Sequence, residues 1–247
     1  MSDQITVTFA GSGDAFGSGG RLQACFHIQP PGKPAFLLDC GATSLTALKR
    51  LGLDPGGVSS IFVSHLHGDH FGGLPFFILD AQFSKREAPL TIAGPAGLPR
   101  RLTEAMEVLF PESSTVRRRF DVDVVELTAG TSATVGDVHV TTCQVDHPSG
   151  AMALGLRLSV GQRTIAYTGD TAWTDALRDL ASGADLLIAE AYYREKSIPY
   201  HLQLADLVEH AAELNARRIV LTHMSADVLD WPSAPFERAH DGYIIGI

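Results

Sequence analysis

The stretch SHLHGDH occupies residues 64–70 of this 247-residue chain. It places three histidines and one aspartate within six residues, directly after an apolar strand predicted over 60–63. Imidazole nitrogens and carboxylate oxygens are ligands for zinc and related first-row metals. A strand that ends in a tight turn directs several such side chains toward one point, and Gly68 permits the turn. The segment therefore predicts a metal site that contains His65, His67, Asp69 and His70.

Three further candidate ligands each follow a predicted apolar strand in the second half of the chain. They are His147, Asp170 and His223, after the strands predicted at 138–145, 164–167 and 218–222. Functional groups of open α/β sheets collect at strand ends. Alone, each residue could equally be a turn or capping residue. Together with the histidine cluster, they form a set large enough for two metal ions.

The remaining periodicity predicts two halves of similar organisation. In the first half we predict strands at 5–10, 22–28, 35–39 and 90–93, and helices at 43–52, from 72 to about 83, and at 98–109. In the second half we predict strands at 122–127, 153–160, 186–190 and 242–247, and helices at 175–181 and 203–215. No linker rich in proline, glycine or serine separates the halves. We therefore predict a single domain over residues 1–247.

Composition and charge argue against several classes of protein. Apolar residues make up 45% and charged residues 19% of the chain, which is ordinary for a globular protein. The formal net charge of −9 argues against a broad basic face for RNA or DNA. Met1–Gly13 has no basic region followed by an apolar run, and no apolar run is long enough to cross a bilayer. We therefore expect a cytoplasmic protein without a signal peptide or a membrane partner.

The three cysteines do not indicate a thiolate metal site or a disulfide framework. They are scattered, odd in number and not in a C-x-x-C pair: Cys25, Cys40 and Cys143. We expect them to be buried small apolar residues.

The order of the candidate ligands resembles that of the metallo-β-lactamase superfamily. The resemblance rests on His65-x-His67-x-Asp69-His70 followed by the three later ligands, and it extends from Phe9 to His223. It implies an α/β protein with an αβ/βα four-layer sandwich of two similar halves. It also implies one metal held by His65, His67 and His147, and a second held by Asp69, His70 and His223, with Asp170 bridging them. The resemblance thus implies two divalent metal ions per chain, with zinc as the first choice and manganese as the alternative.

Within the superfamily, the second half resembles the ribonuclease Z and cyclic phosphodiesterase branch. The resembling residues are ADLLIAE at 184–190, then Tyr200-His201-Leu202 and His223. In that branch a histidine at the start of the helix corresponding to 203–215 assists catalysis, and His201 matches its position. Histidine titrates in the range needed to assist a leaving group, and Glu190 would orient it. The alternative is that His201 only lies near a helix N-terminus and that Glu190 is an ordinary strand-end residue.

The resemblance implies a dinuclear hydrolase in which a metal-bridging hydroxide is the nucleophile. Asp69 would accept a proton from the attacking water while it binds metal, so the expected catalytic residues are Asp69, Glu190 and His201. Departures from ribonuclease Z bear on the substrate. No long arm is inserted between His147 and Asp170, and the Arg-Tyr that follows the last histidine in that family is absent after His223. With the acidic charge, this favours a small or cyclic phosphodiester and argues against tRNA.

Other functions remain open at this stage. One alternative is a thioesterase or lactamase-like carbonyl hydrolase, and another is an iron-dependent oxidoreductase of the persulfide dioxygenase type. The complete ligand set argues against the oxidoreductase. His67 also stands where flavodiiron oxygen reductases of this fold carry glutamate, which argues against an oxygen-reducing pair of iron ions. A non-catalytic binding protein is a further alternative. The branch also implies a possible homodimer.

Overall fold

The structure, a computed structural model, describes residues 4–247, so the first three residues of Met1–Gly13 lie outside it. The strands are β1 Thr6–Gly11, β2 Cys25–Gln29, β3 Ala35–Leu38, β4 Val58–Phe62, β5 Leu90–Pro95, β6 Val122–Leu127, β7 Ser132–Val135, β8 Val138–Gln144, β9 Leu154–Val160, β10 Arg163–Tyr167, β11 Leu186–Glu190, β12 Ile219–Thr222, β13 Glu237–Arg238 and β14 Tyr243–Gly246. The α-helices are α1 Ser44–Arg50, α2 Gly68–Phe71, α3 Leu74–Phe83, α4 Leu98–Leu109, α5 Ala176–Ala181, α6 Leu204–Glu209, α7 Ala211–Leu214 and α8 Ala226–Leu229. Short 3-10 turns lie at Ser18–Gly20, Pro55–Gly57 and Ser113–Thr115.

The described residues form two seven-stranded sheets with matching organisation. The first has the order β14-β1-β2-β3-β4-β5-β6, and the second has the order β13-β12-β11-β10-β9-β8-β7. In the first sheet β3 to β6 run parallel, and in the second β10 to β13 run parallel. The remaining neighbours in both sheets are antiparallel. The two similar halves predicted from the sequence correspond to these sheets.

Apolar side chains fill three layers between the secondary-structure elements. The central layer lies between the sheets, and a further layer lies between each sheet and its own helices. Strand β11 shows how alternation produces this: Leu186 and Ile188 face the central layer, whereas Leu187 and Ala189 face the helices. Because both faces of a central strand are covered, the strand reads as a continuous apolar run. The predicted αβ/βα four-layer sandwich is confirmed.

Two predicted helices have different boundaries in the structure. The helix predicted at 203–215 is divided into α6 and α7 at His210, where the His210 ring stacks on Trp173 with 3.9 Å between ring centroids. The helix predicted from residue 72 begins instead at Leu74. Gly73 passes so close to Gly41 that a side-chain carbon would lie 2.2 Å from the Gly41 carbonyl oxygen. These differences come from tertiary contacts that a local pattern does not contain.

Strand β7 was not predicted. It is a four-residue strand at the edge of the second sheet, and its two apolar residues, Ala133 and Val135, are too few for their alternation to stand out. Among residues 4–247, no helix combines the length and the hydrophobicity needed to span a bilayer.

Candidate metal centre

The predicted ligands meet at one edge of the sandwich, where several strands end. The parallel strands β4, β10 and β12 and the antiparallel strand β8 each lead into at least one of them. The carboxyl ends of parallel strands share one edge of a sheet, which is why ligands far apart in sequence come together. The seven residues brought together are His65, His67, Asp69, His70, His147, Asp170 and His223.

The first group of ligands contains only histidines. Side-chain nitrogens of His65, His67 and His147 lie within 4.8 Å of one another. His147 donates from Nδ1 to the carbonyl oxygen of Tyr200 at 2.9 Å, which leaves Nε2 with a lone pair. That Nε2 lies 3.0 Å from His67 Nδ1. Burial is the main cause that lowers the pKa of all three imidazoles, so they are neutral, the form that binds metal.

The second group combines two aspartates with two histidines. His70 Nε2 lies 3.2 Å from Asp69 and 3.3 Å from Asp170, and His223 Nε2 lies 3.3 Å from each of them. Asp170 also lies 3.9 Å from a ring nitrogen of both His65 and His147. The Asp170 carboxylate is therefore placed between the two groups, where a bridging ligand would have to be.

Electrostatics differ between the groups. Burial lowers the pKa of His70 and His223, but the carboxylates of Asp170 and Asp69 outweigh it, and the pKa of His223 is raised to about 9. Burial raises the pKa of Asp69 and Asp170, but the same histidines outweigh it and hold both values below the ordinary range. Without a metal, His70 and His223 therefore keep protons beside these two carboxylates.

The donor set fits metal cations. Among residues 4–247, several buried polar atoms of this centre have no hydrogen-bond partner: His65 Nε2, His70 Nε2, His223 Nδ1 and Asp170 Oδ1. Buried polar atoms are rarely left without partners, because each costs about 1–3 kcal/mol. Three of these atoms converge with further nitrogen and oxygen donors in the two groups. Cations bound to the groups would satisfy these atoms and replace the shared protons.

Asp39 supports the second group and was missed by the sequence analysis as a site residue. It is fully buried directly after β3. Its carboxylate accepts from His70 Nδ1 at 2.6 Å, from Tyr167 at 2.8 Å, and from the backbone and hydroxyl of Ser64 at 2.7 and 2.8 Å. The bond to Nδ1 leaves His70 Nε2 to face the ligands. Asp39 thus fixes the ring of one ligand without being near enough to be counted among them.

Glu190 and His201 lie next to the two groups of ligands. His201 Nδ1 lies 2.9 Å from Glu190 Oε2, and the other Glu190 oxygen accepts from the backbone amides of Thr171 and Leu202. The His201 ring lies 4.9 Å from the ring of His147. Burial lowers the pKa of His201, but the bond and charge of Glu190 outweigh it and raise the value above 6.5. Burial and Asp170 raise the pKa of Glu190 itself.

A cavity of about 640 Å³ opens beside the first group. His67 forms part of its wall, and the rest comes from α2, α4 and neighbouring residues: Leu66, Gly68, Phe71, Gly72, Arg101, Glu104, Ala105, Val108 and Leu109. The wall is mostly apolar. The cavity can therefore take an organic group attached to a centre that reacts at the metal ligands.

Comparison with known proteins identifies relatives by sequence. A model of the family described as "Beta-lactamase superfamily domain" matches residues 35–224. Ribonuclease Z of Methanothermobacter thermautotrophicus is 29% identical to this chain, and the alignment covers 90% of the chain and 87% of the relative. The region matched by the family model, residues 35–224, contains every predicted ligand.

Solved structures are similar over the full length. Human tRNase Z, short form, has a TM-score of 0.79 and 27% identity, with 97% of this chain and 98% of that chain covered. The metallo-β-lactamase fold protein YhfI from Bacillus subtilis has a TM-score of 0.81 and 19% identity, with both chains covered completely. The second likeness concerns the fold alone.

These findings confirm the predicted superfamily and its ribonuclease Z-like branch. They also agree with a metal-dependent hydrolase. They do not support the exclusion of tRNA as a substrate, because a curated relative and a solved structure are both named for RNA processing. Since the family model covers residues 35–224, the chain belongs to the β-lactamase superfamily domain family.

Proposed function

We propose that this protein is a dinuclear metal-dependent phosphodiesterase that acts on a small or cyclic phosphodiester. The observation that carries the proposal is the position of Asp170 between the two groups of donors, 3.3 Å from nitrogens of one group and 3.9 Å from nitrogens of the other. One fold can host several chemistries, so the fold alone does not choose the reaction.

His65, His67 and His147 would hold one ion, and Asp69, His70 and His223 would hold the second, with Asp170 shared. Bound ions would supply Lewis acidity and lower the pKa of water. Zinc is the first choice because five of the seven donors are imidazoles, which suit zinc better than manganese. Asp69 combines a ligand position with a carboxylate that accepts a proton.

His201 is proposed to protonate the leaving oxygen. Its Nδ1 is occupied by Glu190 at 2.9 Å, so Nε2 is the nitrogen available to donate. Glu190 raises the pKa of this imidazole, which keeps a larger share of it protonated at neutral pH. The role of Glu190 is to orient and charge the ring, as carboxylates do beside histidine.

The cavity beside His67 supports a substrate with an organic group. Its apolar wall suits an aryl or nucleobase group, and its volume of about 640 Å³ is within the range of small-molecule sites. The formal net charge of −9 and the lack of an inserted arm also favour a small substrate over a long polyanion.

An RNA phosphodiester is the second candidate. It is favoured by the 29% identity to a ribonuclease Z over 90% of this chain. The chemistry at the phosphorus would be the same, so the two candidates differ only in what lies on either side of the scissile bond.

The test compares four substrates on one metal-replete preparation. They are bis(p-nitrophenyl) phosphate, a 2′,3′-cyclic nucleotide, a precursor tRNA and a thioester. We expect turnover of the first two. Cleavage of the precursor tRNA alone would favour the second candidate, and turnover of the thioester alone would contradict a phosphodiesterase. Oxygen consumption with iron bound would instead indicate an oxidoreductase.

Substitution of the proposed acid tests the mechanism. His201→Ala should lower kcat by about 10²–10⁴-fold, because general acid catalysis contributes that much, while the two metals stay bound. Elemental analysis of the same sample measures the metals. Tyr192→Phe is the matched control, because the Tyr192 ring lies 5.3 Å from that of His201 but offers no proton to Glu190. Full activity in His201→Ala would contradict the assignment.

A further inference from the structure

Glu190 and His201 take part in a third group of potential ligands that overlaps the second. Asp170, Glu190, His201 and His223 each offer a donor atom, and these atoms all lie within 4.8 Å of one another. Glu190 Oε2 lies 2.9 Å from His201 Nδ1 and 3.6 Å from His223 Nδ1. The carboxylate oxygen therefore stands between two imidazole nitrogens that belong to different rings.

This group contains a buried nitrogen, His223 Nδ1, that the proposed catalytic ions do not use as a ligand. His223 is 3% exposed, and its Nδ1 has no hydrogen-bond partner among the described residues. The ligand nitrogen proposed for catalysis is the other one, Nε2, which faces Asp69 and Asp170. Glu190, fully buried, supplies a negative charge beside Nδ1.

The separations of Glu190 Oε2 from the two imidazole nitrogens are close to those between zinc ligands. Ligands at about 2.0–2.2 Å from a tetrahedral zinc ion are separated from each other by about 3.3–3.6 Å. The His223–Glu190 separation already has this value, and the His201–Glu190 separation would have to open by about half an ångström. His201 has the freedom for this, because it lies outside the helices and its side chain is 21% exposed.

We propose that excess Zn²⁺ binds a third, inhibitory site formed by Glu190 Oε2, His201 Nδ1 and His223 Nδ1, beside Asp170. The ion replaces the proton that His201 shares with Glu190 and the proton on His223 Nδ1, and both protons pass to solvent. The site is weaker than the two catalytic ones, because binding removes these protons and places a third cation nearby.

A zinc ion bound at this site prevents His201 from acting as the proposed general acid. An imidazole with Nδ1 bound to zinc cannot become an imidazolium, so His201 can no longer supply the proton from a charged ring. Manganese should not have this effect at comparable concentrations, because imidazole-rich sites bind it more weakly than zinc. The inhibition rests on the role proposed for His201, whereas the binding of a third ion does not.

The experiment counts metals and measures turnover of bis(p-nitrophenyl) phosphate at buffered free zinc concentrations. Wild-type holoenzyme should rise from two to three zinc ions per chain, and its activity should fall over the same range. Glu190→Gln and His201→Ala should keep two ions and bind the third at least about tenfold more weakly, since each removes one ligand. Tyr192→Phe should bind the third ion as the wild type does.

A third ion that binds equally well to the wild type, Glu190→Gln and His201→Ala would overturn the proposal, because the ion would then lie elsewhere. Binding that never exceeds two ions per chain would also overturn it. Use of two variants guards against a folding defect caused by loss of the buried Glu190. If the protein hydrolyses no phosphodiester, the proposed function fails, and the metal count alone still decides whether the third site exists.

Discussion

Asp39 orients His70, a ligand of the second group, through a buried hydrogen bond. It is fully buried, has a φ of 55°, and accepts hydrogen bonds from His70, Tyr167 and Ser64. A non-glycine residue at positive φ costs free energy and persists only where its surroundings hold it. Here three elements hold one carboxylate, because its residue follows β3 while its partners follow β4, lie in α2 and end β10.

Asp39→Asn should weaken metal binding in the second group by about 10- to 100-fold, the usual cost of losing a partner of a ligand histidine. An amide cannot accept from all of these donors at once. Competition with a chelator measures the affinity of each ion. Asp185→Asn is the matched control, since this half-buried carboxylate pairs with Arg163 at the opposite end of β11. Equal affinities in Asp39→Asn and wild type would contradict the role of Asp39.

The sequence predicted the ligands but not their support, and the reason is physical. His65, His67, Asp69 and His70 are grouped in six residues, so the pattern itself is improbable without a metal. Asp39 follows β3 and Tyr167 ends β10, and both strands read as ordinary apolar strands. Their importance arises only when the ends of β3 and β4 in the first sheet meet the end of β10 in the second sheet, which no local signal contains.

At the scale of elements, α4 forms the wall of the cavity that opens beside His67. Arg101, Ala105 and Val108 on one face of this helix line the cavity, whereas Leu102 and Met106 are buried in the core. The 3.6-residue period separates the two faces. The helix was predicted at its observed bounds. That its second face lines a cavity could not be predicted, because this depends on the fold placing the helix next to His67.

Ala105→Phe should fill part of the cavity and raise KM for bis(p-nitrophenyl) phosphate by about tenfold, while kcat for a diester with small alkyl groups stays unchanged. A change of about 1–3 kcal/mol is usual when the volume of a binding pocket changes by a small group. Steady-state kinetics measure both constants. Thr103→Phe adds the same ring on the exposed side of α4 and is the control. An unchanged KM in Ala105→Phe would mean that the substrate does not enter this cavity.

At the scale of the whole molecule, two sheets of parallel and antiparallel strands bring the ends of distant strands to one edge. The order of elements and the apolar periodicity predicted two similar halves, and the resemblance to the superfamily implied the four-layer sandwich, in which both sheets are covered on two sides. The small elements were harder. Strand β7 is only four residues long, and the break between α6 and α7 lies where His210 stacks on Trp173, a contact that the local sequence does not contain.

The charge of the second group makes the stability of the metal-free protein depend on pH. In the metal-free protein the pKa of His223 is raised from its ordinary value of about 6.5 to about 9. The proton on His223 therefore stabilises the fold fully below about pH 6.5, and this stabilisation is lost as the pH rises through about 9. Metal replaces the proton, so the metal-loaded protein lacks this loss.

The gap in Tm between metal-loaded and chelator-treated protein should therefore widen from pH 6.5 to pH 9. Thermal unfolding by calorimetry at three pH values measures it. In the metal-free His223→Gln variant the decline with pH should be smaller. A gap that narrows with rising pH would contradict the protonation of this group.

A zinc titration distinguishes a catalytic centre that needs two metal ions from one that needs a single ion. Metal-free protein is titrated with zinc while hydrolysis of bis(p-nitrophenyl) phosphate is followed. We expect activity to rise until about two equivalents per chain are bound, because Asp170 serves both groups. A plateau at one equivalent, or activity that is unaffected by removal of metal, would contradict it.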